Sequence, residues 1–245
     1  MRLYFLDLGT LDMDRTVIMP ASPPGERIRL PVPGYLIRAD DGDTILVDTG
    51  MGRDVLAGEV DFGGRMRPVD SAGAYVVDRL ATLGLRPDDI TAVVATHFHF
   101  DHAGGLADFP GATIVAQRAA VEAARGGGRW GRSATEIPGL RWRLVEGDTD
   151  LAPGVRLLDT TGHAVGHQSL LVRTVRDGAF LLAIDAIYNR EQLAAGDWGA
   201  YADAEAARAS ARKVQDLARE AGATLVYGHD AAQWATLRHA PEYYE

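Results

Sequence analysis

The sequence predicts an α/β fold in which helices lie outside two packed sheets. Three observations carry this. Apolar runs of strand length recur from residue 3 to residue 227. Helical stripes occur in both halves of the chain, with no linker or low-complexity segment between them. At 47% hydrophobic residues in 245, there is enough apolar surface for one domain, 1–245, with a sizeable core.

The opening runs at 3–6, 35–38 and 44–47 read as strands, the last two joined by the turn Ala39-Asp-Asp-Gly-Asp43. The proline-rich, polar stretch 20–33 reads as a loop too long for a tight connection, and such loops are often functional. Residues 71–84 predict a helix. Ser71 or Asp70 caps it, Tyr75, Val76, Leu80 and Leu83 form its stripe, and Gly84 stops it. Strands follow at 92–95 and 112–116, then a short helix at 118–125. Residues 126–128 are three glycines. No Gly-Lys-Ser/Thr follows, so they read as a flexible loop rather than a phosphate cradle, with Trp130 its only large apolar residue. Strands return at 141–145, 155–159, 169–175 and 179–184, and Arg176-Asp-Gly178 makes a hairpin of the last two. Helix 203–221 buries Ala207, Ala211, Val214 and Leu217 and ends at Gly222. The last strand is 224–227.

Bulk chemistry narrows the function. A net charge of −9 argues against a nucleic-acid partner. There is no cysteine, so any metal must be held by histidine and carboxylate. No stretch approaches the ~20 apolar residues of a membrane span. Acidic residues at 7, 12 and 14 interrupt the N-terminus, which lacks the apolar core of a signal peptide. No membrane association and a cytoplasmic location are the expectation.

Five of the seven histidines lie where strands end. His97, His99, Asp101 and His102 form an H-x-H-x-D-H string after the run 92–95. His163 follows the strand 155–159 closely, His229 follows 224–227, and Asp185 follows 179–184. Strand ends are rigid and open onto loop-lined crevices, so ligands collect there. A lone histidine is more often a core or surface residue. Three imidazoles and a carboxylate at one strand end have few structural uses. Seven such groups fit two metal ions. Zinc takes nitrogen and oxygen donors in low coordination, while iron, cobalt and manganese also suit imidazole.

His97-x-His99-x-Asp101-His102, with Gly162-His163, Asp185 and Gly228-His229, resembles the metallo-β-lactamase superfamily over nearly the whole chain. Asp48 in Ile45-Leu-Val-Asp-Thr-Gly50 resembles the aspartate that supports its metal site. A narrower resemblance is to the N-acyl homoserine lactonases, the quorum-quenching branch. It rests on Leu30-Pro-Val-x-x-Tyr-Leu36, Glu146-Gly-Asp148, Gly162-His-x-x-Gly-His-Gln-Ser-Leu170, Asp185-x-x-Tyr188 and Gly228-His-Asp230. Thr161 and Val165 depart from it, standing where these lactonases usually have proline.

The resemblance implies the αββα sandwich of the metallo-β-lactamase fold. It implies two divalent ions, zinc first. His97, His99 and His163 would hold one, Asp101, His102 and His229 the other, with Asp185 between them. The implied reaction opens the lactone ring of N-acyl homoserine lactones with a hydroxide shared by the metals. Tyr188 would donate to the carbonyl or oxyanion, and Asp101 would return a proton to the leaving oxygen. The partner is a small acylated lactone, and a homodimer paired through the early loops is open. Phe100 resembles a lactonase pocket residue. Met19, Phe62, Met66 and Trp198 lie in expected loops that would line an acyl groove. His167 reads as packing or support. The alternative is another hydrolase of the superfamily, a thioesterase of the glyoxalase II type or a phosphotriesterase. Glyoxalase II would add a C-terminal helical part that this sequence does not show after His229.

Overall fold

In the computed structural model, strands assemble into two sheets that pack face to face. The structure describes residues 1–40, 42–127 and 129–245, without the side chains of Arg129 and Trp130. The expectations for Asp41 and Gly128 lie outside the described residues, whereas Trp130, expected in a flexible loop, falls within the helix Arg129–Thr135.

The first sheet contains β1 (Arg2–Asp14), β2 (Arg27–Arg38), β3 (Thr44–Val47), β4 (Met66–Val69), β5 (Ala92–Val94), β6 (Thr113–Gln117) and β7 (Arg141–Val145). Their order is β4-β1-β2-β3-β5-β6-β7. The second contains β8 (Thr149–Ala152), β9 (Val155–Asp159), β10 (Gln168–Arg173), β11 (Ala179–Leu182) and β12 (Thr224–Val226), in the order β12-β11-β10-β9-β8. The helices are α1 (Arg53–Leu56), α2 (Val76–Thr82), α3 (Arg118–Gly126), α4 (Arg129–Thr135), α5 (Arg190–Ala195), α6 (Ala204–Ala221) and α7 (Ala231–Trp234). This is the expected αββα arrangement.

Alternation along each strand builds both cores. Leu3, Phe5, Tyr35, Ile37, Ile45, Val47, Val94 and Val115 meet Leu157, Leu170, Val172, Phe180, Leu182 and Val226 between the sheets. The intervening residues Leu6, Leu8, Leu36, Leu46, Val93, Ile114 and Leu181 join a second cluster that includes Val76 and Leu80 of α2, Ala120 and Val121 of α3, and Ala207, Ala211 and Val214 of α6. Central strands are therefore apolar on both faces, which explains their unbroken hydrophobic runs.

Four further expectations need correction. The stretch 20–33 is not all loop, because β2 begins at Arg27. Pro31 pairs with Thr10 and Pro33 with Asp7, across a register shift in β1 at Gly9, where φ is +104°. Proline has no N–H to give, but β3 pairs only with residues 35–38, so no ladder bond is lost on that side. The helix at 71–84 shortens to α2, capped at Tyr75, because left-handed Asp70 and Gly73 form a turn first. Gly84 does stop it, at φ +71°. The hairpin at 176–178 forms, but β10 ends at Arg173 and Val175 is exposed. β11 ends at Leu182 because Ile184 is itself left-handed, at φ +51°. β4, β8, α1, α4, α5 and α7 are too short or too polar to leave a period in the sequence.

Candidate metal centre

The parallel strands β3 and β5 end at the same edge as the parallel pair β11 and β12. Asp48 follows β3, the His97 run follows β5, Asp185 follows β11 and His229 follows β12. The segment 160–167 between β9 and β10 brings His163 to the same edge. Five separate chain passages thus converge, and all the expected ligands meet. His97, His99, His163 and Asp185 form one group, and Asp101, His102 and His229 another, each with its ligand atoms within 4.8 Å of one another. All are buried except His99.

Asp185 links the groups. Its Oδ2 lies 3.2 Å from His163 Nε2 and 3.7 Å from His97 Nε2. Its Oδ1 lies 3.1 Å from His229 Nε2 and 3.4 Å from His102 Nε2. Asp185 sits in a single turn, Ile184–Ala186, rather than on the strand. Gly228 is what lets it approach, since a Cβ there would lie 2.4 Å from the Ile184 carbonyl oxygen and 3.1 Å from Asp185 Oδ1.

The outer nitrogens of four histidines are already engaged. His102 Nδ1 lies 2.8 Å from Asp48 Oδ2, so it donates. Thr96 gives its hydroxyl proton to Asp48 Oδ2 at 2.8 Å, which leaves the Thr96 oxygen to accept from His97 Nδ1 at 3.2 Å. His229 Nδ1 donates to the Pro31 carbonyl at 2.8 Å. His163 Nδ1 lies 3.0 Å from the Tyr188 hydroxyl. With Nδ1 engaged in this way, Nε2 is the nitrogen each ring turns inward, the one a metal would take once it carries no proton. Asp48 is left-handed, at φ +59°, and also accepts the Thr96 N–H at 2.9 Å, so its strained turn is held in place.

A cation fits this set. His163 Nε2 lies 3.1 Å from His97 Nε2 and 2.9 Å from His99 Nδ1. Lone pairs pressed together this closely repel unless a positive charge lies among them. His102 Nε2 and Asp185 Oδ1 are buried without a hydrogen-bond partner. Electrostatics agrees. Burial, with neighbouring imidazoles, pushes His97 and His163 well below the ordinary histidine value, keeping them neutral. Burial opposes charge on Asp185, but His102, His229 and His163 hold it well below the usual carboxylate range.

Beside the ligands opens a cavity of about 260 Å³. Phe100, Met66, Leu11, Met13 and Leu30 wall it, while Asp101, Asp185, His163, His229 and Tyr188 reach into it. Met66 lies on β4 and not in a loop, and Phe62 stands behind Phe100 at 4.9 Å between ring centres. Met19 and Trp198 are buried in the core and do not line this cavity, and Trp198 packs on Tyr201 instead. Tyr201 escaped the sequence reading. Its ring lies 4.9 Å from Tyr188 and 5.4 Å from His163, yet its loop carries no pattern that marks it. At the departures from the lactonase pattern, Thr161 uses what proline lacks. Its N–H donates to Asp159 Oδ1 at 3.0 Å, and its hydroxyl accepts the Gly166 N–H at 2.7 Å. Val165 is 52% exposed, so its change costs the loop no packing.

The family model of the metallo-beta-lactamase superfamily matches residues 27–229. The N-acyl homoserine lactonase AiiA of Bacillus thuringiensis subsp. kurstaki is 35% identical over 247 residues, covering 99% of this chain and 98% of its own. The N-acyl homoserine lactonase AttM of Rhizobium johnstonii is 35% identical over 262 residues, with the same coverages. A solved N-acyl homoserine lactone hydrolase, with N-hexanoyl-L-homoserine bound at its catalytic metal centre, superposes with a TM-score of 0.92. It is 34% identical, over 99% of this chain and 98% of that one. The dizinc lactonase AidC shares the fold, with a TM-score of 0.76 at 18% identity, over 98% of this chain and 92% of its own. The chain belongs to the metallo-β-lactamase superfamily and, within it, to the N-acyl homoserine lactonases.

Proposed function

We propose that residues 1–245 act as one hydrolase domain that opens the lactone ring of N-acyl homoserine lactones, quenching quorum signals. We further propose two divalent ions, zinc by preference, with iron, cobalt or manganese able to replace it. The observation that carries this is Asp185, one carboxylate with an oxygen facing each of two ligand groups at the base of an apolar-walled cavity. His97, His99 and His163 would hold one ion, and Asp101, His102 and His229 the other. When bound, such ions supply a water of pKa about 7 and positive charge for an ester's carbonyl and leaving oxygens.

The residues supply the rest. Once His163 Nδ1–H donates to the Tyr188 oxygen, the phenol proton has no partner there and turns into the cavity. Burial, with Asp185 nearby, raises Tyr188 well above its ordinary value, so it stays a donor. It would bind the ring carbonyl oxygen and the developing oxyanion. Asp101 lines the same cavity and would take a proton from the water that adds to the carbonyl and pass it to the ring oxygen as that oxygen leaves. Phe100, Met66 and Leu30 exclude water and receive the acyl chain. Tyr188→Phe should lower kcat about 100-fold, the scale of one lost oxyanion donor, with metal content unchanged. Loss of metal in that variant would make the tyrosine structural instead.

No helix among the described residues is long and apolar enough to cross a membrane. A cytoplasmic enzyme is part of the proposal, tested by fractionation, with a homodimer as the assembly to test by sedimentation velocity. The activity itself is tested by proton release in weak buffer from a short-chain and a long-chain N-acyl homoserine lactone. A thioester and a phosphotriester run alongside, with and without prior chelation. Fast, chelator-sensitive lactone opening is expected. Failure on both lactones by fully metallated protein, with turnover of either other ester, would move the activity to that class.

A further inference from the structure

His167 is a fully buried histidine outside both ligand groups. Its Nε2 accepts the backbone N–H of Asp185 at 3.1 Å. Nε2 must then carry the lone pair, and Nδ1 the proton. Nδ1 lies 2.8 Å from Thr160 Oγ1, which therefore accepts. Thr160 is left with its own proton to give, and Ser169 Oγ lies 2.9 Å away. Ser169 passes its proton to the Ala183 carbonyl oxygen at 2.8 Å. Each hydroxyl then receives once and donates once, the Thr160 proton going to Ser169 at 2.9 Å in preference to the His167 carbonyl oxygen at 3.5 Å. The relay begins at Asp185 and ends at Ala183, on either side of Ile184.

Ile184 is the strained residue of this turn. It is β-branched and left-handed, at φ +51°, where such side chains are genuine outliers. The turn persists only if its surroundings over-determine it. Thr160, His167, Ser169, Ile184 and Asp185 are all buried, so no water competes for these bonds. The relay also spans the His163 segment, since the Thr160 N–H donates to the His167 carbonyl at 2.9 Å.

We propose that the Thr160–His167–Ser169 relay clamps the Ile184 turn and so aims the two oxygens of Asp185 at the two ligand groups. His167 is a positioning residue, and it acts as a neutral donor–acceptor spacer of fixed tautomer. The inference rests on the proposed hydrolysis only for its kinetic readout.

Two measurements test it. In metal-free wild-type protein labelled with ¹⁵N-histidine, long-range ¹H–¹⁵N spectra should show His167 protonated at Nδ1 and bare at Nε2. The opposite tautomer would overturn the relay whatever any variant does. The second compares His167→Phe with His167→Gln, each checked for folding by its melting curve. Phenylalanine leaves the Asp185 N–H without an acceptor and the Thr160 oxygen without the donor it receives from His167. Glutamine offers an oxygen to the first and an N–H to the second. His167→Phe should weaken metal retention against a chelator by about 10- to 100-fold, the usual cost of losing an outer partner of a ligand. It should lower kcat with KM little changed. His167→Gln should restore both most of the way. Wild-type retention in folded His167→Phe, or no recovery in folded His167→Gln, would refute the clamp. Because metal retention is read without substrate, a failed clamp and a failed lactonase reading give different results.

Discussion

Asp185→Asn is expected to lower lactone turnover by roughly 1000-fold or more while the chelated protein stays folded. The argument is geometric first. The two carboxylate oxygens face different imidazole groups, at 3.2 Å from His163 Nε2 and 3.1 Å from His229 Nε2. An amide of the same shape has one oxygen and one NH₂, so one group would face a donor where it needs an acceptor. The charge matters as much. Two cations held close together repel, and an anion between them is what makes joint occupancy favourable. Losing an outer partner of a ligand costs metal affinity 10- to 100-fold, and removing a shared ligand should cost more. The chelated protein should also melt lower near neutral pH, because Asp185 is the anion that raises His102 and His229, and removing one partner of a buried pair destabilises. Metal content after dialysis, the melting curve of chelated protein and kcat separate the effects. Normal occupancy of both sites by the variant would sink the bridging role.

The candidate ligands are legible in the sequence because each announces itself locally. The string from His97 to His102 spans one strand end, and Gly162-His163 and Gly228-His229 each put a histidine directly after a strand or a short turn. Helix α6 was equally legible, since Asp203 caps it by accepting the N–H groups of Glu205 and Ala206, and left-handed Gly222 ends it. What escaped was set by tertiary contact. The outer partner of His229 is a backbone carbonyl, that of Pro31, 198 residues earlier in the chain. Nothing in a proline's identity advertises its oxygen. Prolines 31 and 33 also disguise the strand that carries it, because their propensity argues for a loop, while the short reach of β3 and the bulge in β1 let them stay in the sheet. The walls of the cavity are the least legible part. Phe100 and Met66 reach it from different elements, while Met19 and Trp198, alike in chemistry, turn into the core. Side-chain direction in a loop has no period to reveal it.

Metal uptake near neutral pH should release protons, and acid should expel the metal. In the metal-free protein, burial disfavours charge on His102, but Asp185, Asp101 and Asp48 around it raise its pKa to about 10. Burial likewise opposes charge on His229, and Asp185 outweighs it, so its pKa is also raised. His102 therefore holds a proton where a cation would sit, and His229 is shifted toward holding one. Binding must displace such protons, so affinity should rise about tenfold per pH unit for each proton lost. The same groups give the metal-free fold a pH optimum. A raised histidine stabilises fully below its unfolded value of about 6.5 and loses that contribution as pH climbs through the folded value, here about 10 for His102. His167 runs opposite. Burial, first among its causes, lowers it to about 4, so its contribution is present above about 6.5 and is lost as pH falls toward 4. The melting temperature of chelated protein should then peak near neutrality and fall on both sides. Calorimetric titration of metal in buffers of different ionisation enthalpy counts the released protons. Heats independent of buffer at pH 7 would mean that His102 is already neutral, and the charge balance drawn from Asp48, Asp101 and Asp185 would be wrong.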